Sequence, residues 1–171
     1  EIQFDQQGVP SRDYRSNGEN LSRLEKHLGL SFSTQVFHPA NTGEKAQKQE
    51  DGSYATQVSQ ETFPLADKIN FGVFPHQYST GAVLNYPIES QIVIKDLAWK
   101  TFNPNIDLSK FKTAEGEPLP EDVPLFDKNF VDALIRINGK PVHLILLHAV
   151  PAFDFGNPHS PNMARNRDQL R

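Results

Sequence analysis

One residue, His148, has a type and position suited to chemistry, and a second, Glu1, stands at the opening of the chain. His148 directly follows the apolar run Leu144-Ile-Leu-Leu147 and precedes Ala149-Val-Pro151. A histidine just past a buried strand is held rigidly at a rim yet can reach a substrate, which suits general acid/base work or orientation of a phosphate. The same position also suits a capping or partly buried histidine that satisfies a backbone carbonyl, so placement alone leaves both readings open. Glu1, followed by Ile-Gln-Phe4, reads on its own as a solvated terminal charge.

The other histidines, His27, His38, His76, His143 and His159, lack His-x-x-x-His and His-Glu-x-x-His spacing, so nothing points to a helix-borne zinc site. His27 falls near a predicted helix C-terminus, where a cation favours the dipole. The chain has no cysteine, which removes disulfides, thiolate ligands and thiol nucleophiles. It has no glycine-rich phosphate loop and no Gly-x-Ser-x-Gly elbow. Arg165, Arg167 and Arg171 form a basic cluster interrupted by Asp168, which reads as solvated helix surface more readily than as a phosphate contact.

The elements that must position these groups follow from spacing. Ser16 and Glu19 have capping-box spacing, Leu21, Leu24 and Leu28 recur at helical intervals, and Gly29 stands where a C-terminal cap belongs. These predict a helix over 17–28. Strands are expected over 30–37, 81–84 and 91–95, with the alternation of Ala98-Trp-Lys-Thr-Phe102 extending the last. The strongest β signal is Phe130–Ile137 and Pro141–Leu147 around Asn138-Gly139, the dipeptide of a type I′ hairpin turn. The unbroken apolar run in the second strand predicts a central position covered on both faces. Alternation places Ala82, Leu84, Ile92, Ile94, Ile135, Ile145 and Leu147 on one shared face. Residues 41–57 and the proline-rich 103–129 read as loops or insertions, the latter as the most mobile long connection. Ser160-Pro161 opens a terminal helix. Strands and helices mix without βαβ alternation, so the fold class is α+β.

With 171 residues, the chain is long enough for one domain with a core and too short for two. Hydrophobic residues make up 37%, and no apolar run approaches the roughly 18 residues of a membrane span. Seventeen Lys and Arg against 21 Asp and Glu give a net charge of -4, which mildly disfavours a nonspecific nuclease. The chain opens on Glu in place of Met, and Asn166–Arg171 reads as a helix without a stop signal. A chain trimmed at both ends, without its N-terminal targeting region, is therefore expected, soluble and of unknown compartment and oligomeric state.

The hairpin ending in Leu147-His148-Ala-Val-Pro151, with an Asn/Arg/Gln-bearing helix soon after, resembles the endonuclease/exonuclease/phosphatase superfamily. That superfamily includes the pancreatic-type deoxyribonucleases and the abasic-site endonucleases. In the deoxyribonucleases the corresponding strand ends in Leu-His-Ser-Ala-Pro. Gly81-Ala-Val-Leu-Asn-Tyr-Pro-Ile88 is similar to the family's Gly-x-Ala-(Val/Ile)-Leu-Ser-x-x-Pro-Ile, shortened around Asn85. Glu1-Ile-Gln-Phe followed by a capped helix looks like the region of the family's metal-binding Glu with the preceding strand cut away. The family's first catalytic Asn would precede Glu1, and its Asp-x-Asn and Ser-Asp-His motifs would follow Arg171. Arg165-Asn-Arg-Asp-Gln169 also departs from the family's Arg-x-x-Gln.

The resemblance implies a single partial domain over 1–171, a partial four-layer α/β-sandwich with two mixed β-sheets face to face and helices outside. It implies a metal-dependent phosphodiesterase or nuclease. In that reading Glu1 is a ligand to Mg²⁺ or Mn²⁺, and His148 is a hydrogen-bonding or acid/base group near the scissile phosphate. The implied substrates are nucleic acid, inositol phosphate or a phospholipid headgroup. The family's water-activating Asp and His are not in this chain, so the 171 residues alone are expected to be inactive. The rival reading is a noncatalytic binding or scaffold module on the same fold.

Overall fold

A computed structural model describes residues 18–171 and the short strand β1 (Ile2–Gln3). The fold is α+β. In chain order β1 is followed by α1 (Glu19–His27), β2 (Thr34–Phe37), β3 (Tyr78–Ser79), β4 (Gly81–Leu84) and β5 (Ile88–Ile94). Then come α2 (Trp99–Phe102), β6 (Phe130–Ile137), β7 (Lys140–Leu147) and α3 (Asn162–Gln169). The strands pair as β1-β3, β2-β4 and β5-β6-β7. Every described pairing is antiparallel, in place of the mixed sheets expected.

The C-terminal signal of α1 and the hairpin turn act as read; at the N-terminus Gly18 is the N-cap and Glu19 the first helical residue, so Glu19 does not hold the third position that the Ser16 capping box expected. α1 ends in a Schellman arrangement, with Leu30 N–H donating to the Glu25 carbonyl at 3.1 Å and Gly29 N–H to that of Lys26 at 3.0 Å. The Ser16 half of the expected capping box lies outside the described residues. Asn138 and Gly139 have φ of 52° and 77°, the two positive values a type I′ turn demands, and Ile137 pairs with Lys140 across them.

The shared face is not the one expected. Val131, Ala133 and Ile135 of β6 are buried, and the register sets them opposite Leu146, Leu144 and Val142 of β7. Opposite residues of an antiparallel pair point to the same side of the sheet. Val131, Ala133, Leu144 and Leu146 therefore form the inner face, packing with Ile88 of β5, Val36 of β2 and Ala82 and Leu84 of β4. Ile92 and Ile145 lie on the other face and are 60% and 49% exposed. A run apolar at every position cannot say which of its two sides is inward, and the β6 register decides it. β6, not β7, is the central strand; among the described residues β7 is an edge.

The outer face is covered at one end by the segment expected to be the most mobile long connection. Leu108, Val123, Leu125 and Phe126 are buried with Trp99, and Ile94, Phe130 and Leu147 pack against them. Residues 103–129 are thus irregular yet build a core cluster, because the apolar residues between their prolines outweigh the exposed acids. Ala98–Phe102 is not strand: Trp99 is wholly buried on the short helix α2, anchored at its indole rather than by a sheet ladder. The stretch read as a solvated loop from Asn41 is also inward at its start, since Asn41, Thr42 and Gly43 are buried.

Gly43 has φ 72°, and a Cβ there would lie 1.9 Å from the Phe74 carbonyl oxygen. Gly43→Ala should therefore destabilise the protein by more than the roughly 1–3 kcal/mol that the backbone conformation alone would cost. Urea unfolding measures it, and a midpoint equal to that of the parent protein would contradict this packing.

Candidate functional site

β2, β3, β4 and β6 meet at one rim through a buried polar knot. The Asn129 amide donates to the carbonyls of His38 at 3.0 Å and Pro39 at 2.8 Å, and its oxygen accepts from the Thr80 hydroxyl at 3.0 Å. The Ser79 hydroxyl donates to the His38 carbonyl at 2.6 Å and lies 3.4 Å from the Asn129 amide nitrogen. These residues close the end of β2, the step from β3 to β4 and the start of β6 onto one another. Their polar groups are satisfied where no sheet ladder serves them.

Two further elements reach this rim. Ile2 of β1 is in register with Ser79, and Phe130 of β6 pairs with Leu147, the last residue of β7. His148 follows Leu147, is exposed, and hydrogen-bonds none of the described residues. Glu1, the implied metal ligand, lies outside the described residues. Among the described residues no group of three or more His, Cys, Asp or Glu could hold a metal ion. The described donor set does not by itself fit Mg²⁺ or Mn²⁺, which require several converging oxygen ligands.

Next to the rim is a cleft of about 710 Å³ whose lining includes Thr42, Tyr78 and Lys128 and, just past His148, Val150 and Pro151. α3 shapes its floor. The Arg165 guanidinium is buried and donates to the carbonyls of Leu125 at 2.9 Å and Pro124 at 2.6 Å and to the Asn70 amide oxygen at 2.7 Å. Gln169 accepts from Val150 N–H at 2.7 Å and donates to the Leu125 carbonyl at 2.8 Å. Arg165 is thus a structural staple, not the solvated surface residue expected, while Arg167 is exposed. Its burial beside Asp127 and Asp67 tolerates the cation because every direction of the guanidinium finds an acceptor.

Asp168 is the other buried charge on α3. It accepts from the Trp99 indole and the Asn103 amide, both at 2.8 Å. Burial pushes its carboxyl up, but these donors, with Arg167 and Arg171, bring it below the ordinary carboxylate value. A depressed folded value means that its stabilisation is complete above the unfolded carboxyl's value and is lost as pH falls through the lower folded one. Asp168→Asn should cost about 1–3 kcal/mol at neutral pH, because the bonds from Trp99 and Asn103 to one carboxylate oxygen become bonds to a neutral amide oxygen and Arg167 and Arg171 lose their counter-charge. The difference from the parent protein should shrink in strong acid, and a pH-independent difference in urea midpoint would contradict the assignment.

Of the two residues singled out in the sequence, His148 is placed at the rim, and the cleft beside it went unrecognised. Its lining residues Phe63, Phe71, Tyr78 and Phe155 are scattered along the chain without period, so no sequence signal marks them. No family model matches the chain, and neither a curated protein nor a solved structure does. No described helix is long and apolar enough to cross a membrane.

Proposed function

We propose that this chain belongs to a metal-dependent hydrolase of phosphate esters, a phosphodiesterase or nuclease, with His148 at its reaction centre. One observation carries the reading: the strand that begins one residue after Glu1 and the strand that ends one residue before His148 reach the same rim. They are joined there through Ser79, Asn129 and Phe130. Groups that act on one phosphate must converge from separate strand ends, and this topology supports that convergence.

In this reading the exposed imidazole of His148 offers an N–H to a phosphoryl oxygen or exchanges a proton with it. Rigid β-hairpin backbone up to Leu147 limits its motion. Glu1 would supply one carboxylate ligand to Mg²⁺ or Mn²⁺, which when bound would neutralise phosphoryl charge, the further ligands coming from outside the described residues. The substrates it fits are nucleic acid, an inositol phosphate or a phospholipid headgroup. The four-layer sandwich belongs to the same reading.

The test is hydrolysis by the full natural protein of one substrate from each class, with Mg²⁺ or Mn²⁺ and with a chelator. Metal-dependent turnover of at least one is expected. Inertness across all three would favour a noncatalytic binding module instead.

A further inference from the structure

We propose that the cleft beside the rim binds a neutral, planar heterocycle carrying an N–H donor, a role that neither His148 nor a metal enters. Its volume of about 710 Å³ lies within the range of small-molecule sites, on the order of 300–1,000 Å³. Large apolar side chains left in water around a concavity mark a place where something else covers them. Phe63 and Phe71, half exposed, form a wall with Tyr78: the Phe63 and Phe71 rings are 5.6 Å apart, and Phe71 stacks on Tyr78 at 6.4 Å and 11°. Lys68 covers one side of Phe63, with its ammonium 5.1 Å from the ring centroid. Phe155, which meets Phe153 edge to face at 4.9 Å and 81° yet is largely exposed, is the further ring at the cleft.

Phe155 is 68% exposed and has φ 52°, a left-handed conformation that disfavours a side chain of this size. The turn that holds it is closed by Gly156 N–H on the Asp154 carboxylate at 3.0 Å and Asn157 N–H on the Asp154 carbonyl at 2.9 Å. Strain kept to hold an aromatic ring in water over a cleft fits a ring that stacks on a ligand.

Charge and hydrogen bonding set the rest of the ligand. Among the described residues acidic and basic side chains line the cleft in equal number, so these give it no net charge to draw in a polyanion. Asp127 also lines it; one carboxylate oxygen accepts from Lys128 at 3.0 Å, and the other is buried without a hydrogen-bond partner among the described residues. Such an orphan oxygen is costly, and its demand is for a donor. Rotation about the Cβ–Cγ bond, a soft torsion, turns it toward a donor seated in the cleft. A membrane surface would meet protruding apolar groups, whereas these rings enclose a cavity.

The experiment is calorimetric titration of the full natural protein with adenosine, with purine riboside (the same molecule without the amino group) and with myo-inositol. Adenosine should bind, purine riboside should bind about tenfold or more weakly, and myo-inositol should not bind. Phe155→Ala should weaken adenosine by roughly tenfold, the loss of one stacking face. Asp127→Ala, which removes the acceptor and is checked for an unchanged fold by circular dichroism, should erase the preference for adenosine over purine riboside. Equal binding of adenosine and myo-inositol, or an affinity unchanged in Phe155→Ala, would overturn the proposal. So would attachment to phosphatidylcholine vesicles without adenosine binding, which would make the aromatic mouth a lipid-facing surface. No arm reads hydrolysis, so failure here is separate from failure of the phosphoesterase reading.

Discussion

Replacing Arg165 with Ala should lower the unfolding free energy by about 3–5 kcal/mol, the range for removing one member of a buried charged network. The loss has three sources on α3. The carbonyls of Leu125 and Pro124 and the Asn70 amide oxygen lose their donor, the cation facing Asp127 and Asp67 disappears, and a cavity the size of a guanidinium opens beneath the cleft. Arg165→Lys should recover only part of this, because one ammonium cannot reach acceptors that a planar fork reaches on several sides. Urea unfolding of both variants measures the effect. A loss below about 1 kcal/mol in Arg165→Ala would place the residue among surface cations, where ion pairs are worth that little.

The second large effect concerns turnover. In the full natural protein His148→Ala should reduce phosphodiester hydrolysis by on the order of 10²–10⁴, the usual worth of a positioned acid/base group. Stability should change little, since the imidazole is exposed and hydrogen-bonds none of the described residues. Steady-state kinetics on a chromogenic phosphodiester, with thermal unfolding of both proteins, separates the two. Unchanged turnover removes His148 from the mechanism; lost turnover together with lost stability makes its role structural.

How much of this was legible in the sequence depends on the element. The β6-β7 hairpin was readable because Asn138-Gly139 fixes both turn and register locally, and the end of α1 was readable for the same reason. The inward face of β7 was not, because Leu144 to Leu147 are all apolar and the choice of side belongs to the partner strand. Trp99 misled through its neighbours: a five-residue alternation cannot tell a strand from one helical turn, and the buried bond from its indole to Asp168 comes from 69 residues away. Prolines at 104, 118, 120 and 124 suggested an irregular, mobile connection, yet Leu108, Val123, Leu125 and Phe126 between and after them form a core with Trp99.

At the candidate site, the position of His148 after β7 could be read from the end of an apolar run. Arg165 could not be read as buried, because the carbonyls that receive it belong to an irregular segment with no pattern to predict. A clue was present in Asp168 and Gln169, polar residues at three and four positions beyond Arg165. They share its helical face and turn with it into the protein.

The central claim is that Glu1 and His148 serve one phosphoester site at the rim where β1 and β7 meet the Ser79–Asn129 knot. Titrating Mn²⁺ into the full natural protein and reading the histidine ring resonances tests it most directly, with the His148 signals assigned from the His148→Ala spectrum. Bound Mn²⁺ should broaden the His148 signals ahead of those of His27 and His143, and Glu1→Ala should abolish the broadening. His148 signals that stay sharp while Mn²⁺ binds, or broadening unaffected by Glu1→Ala, would contradict it.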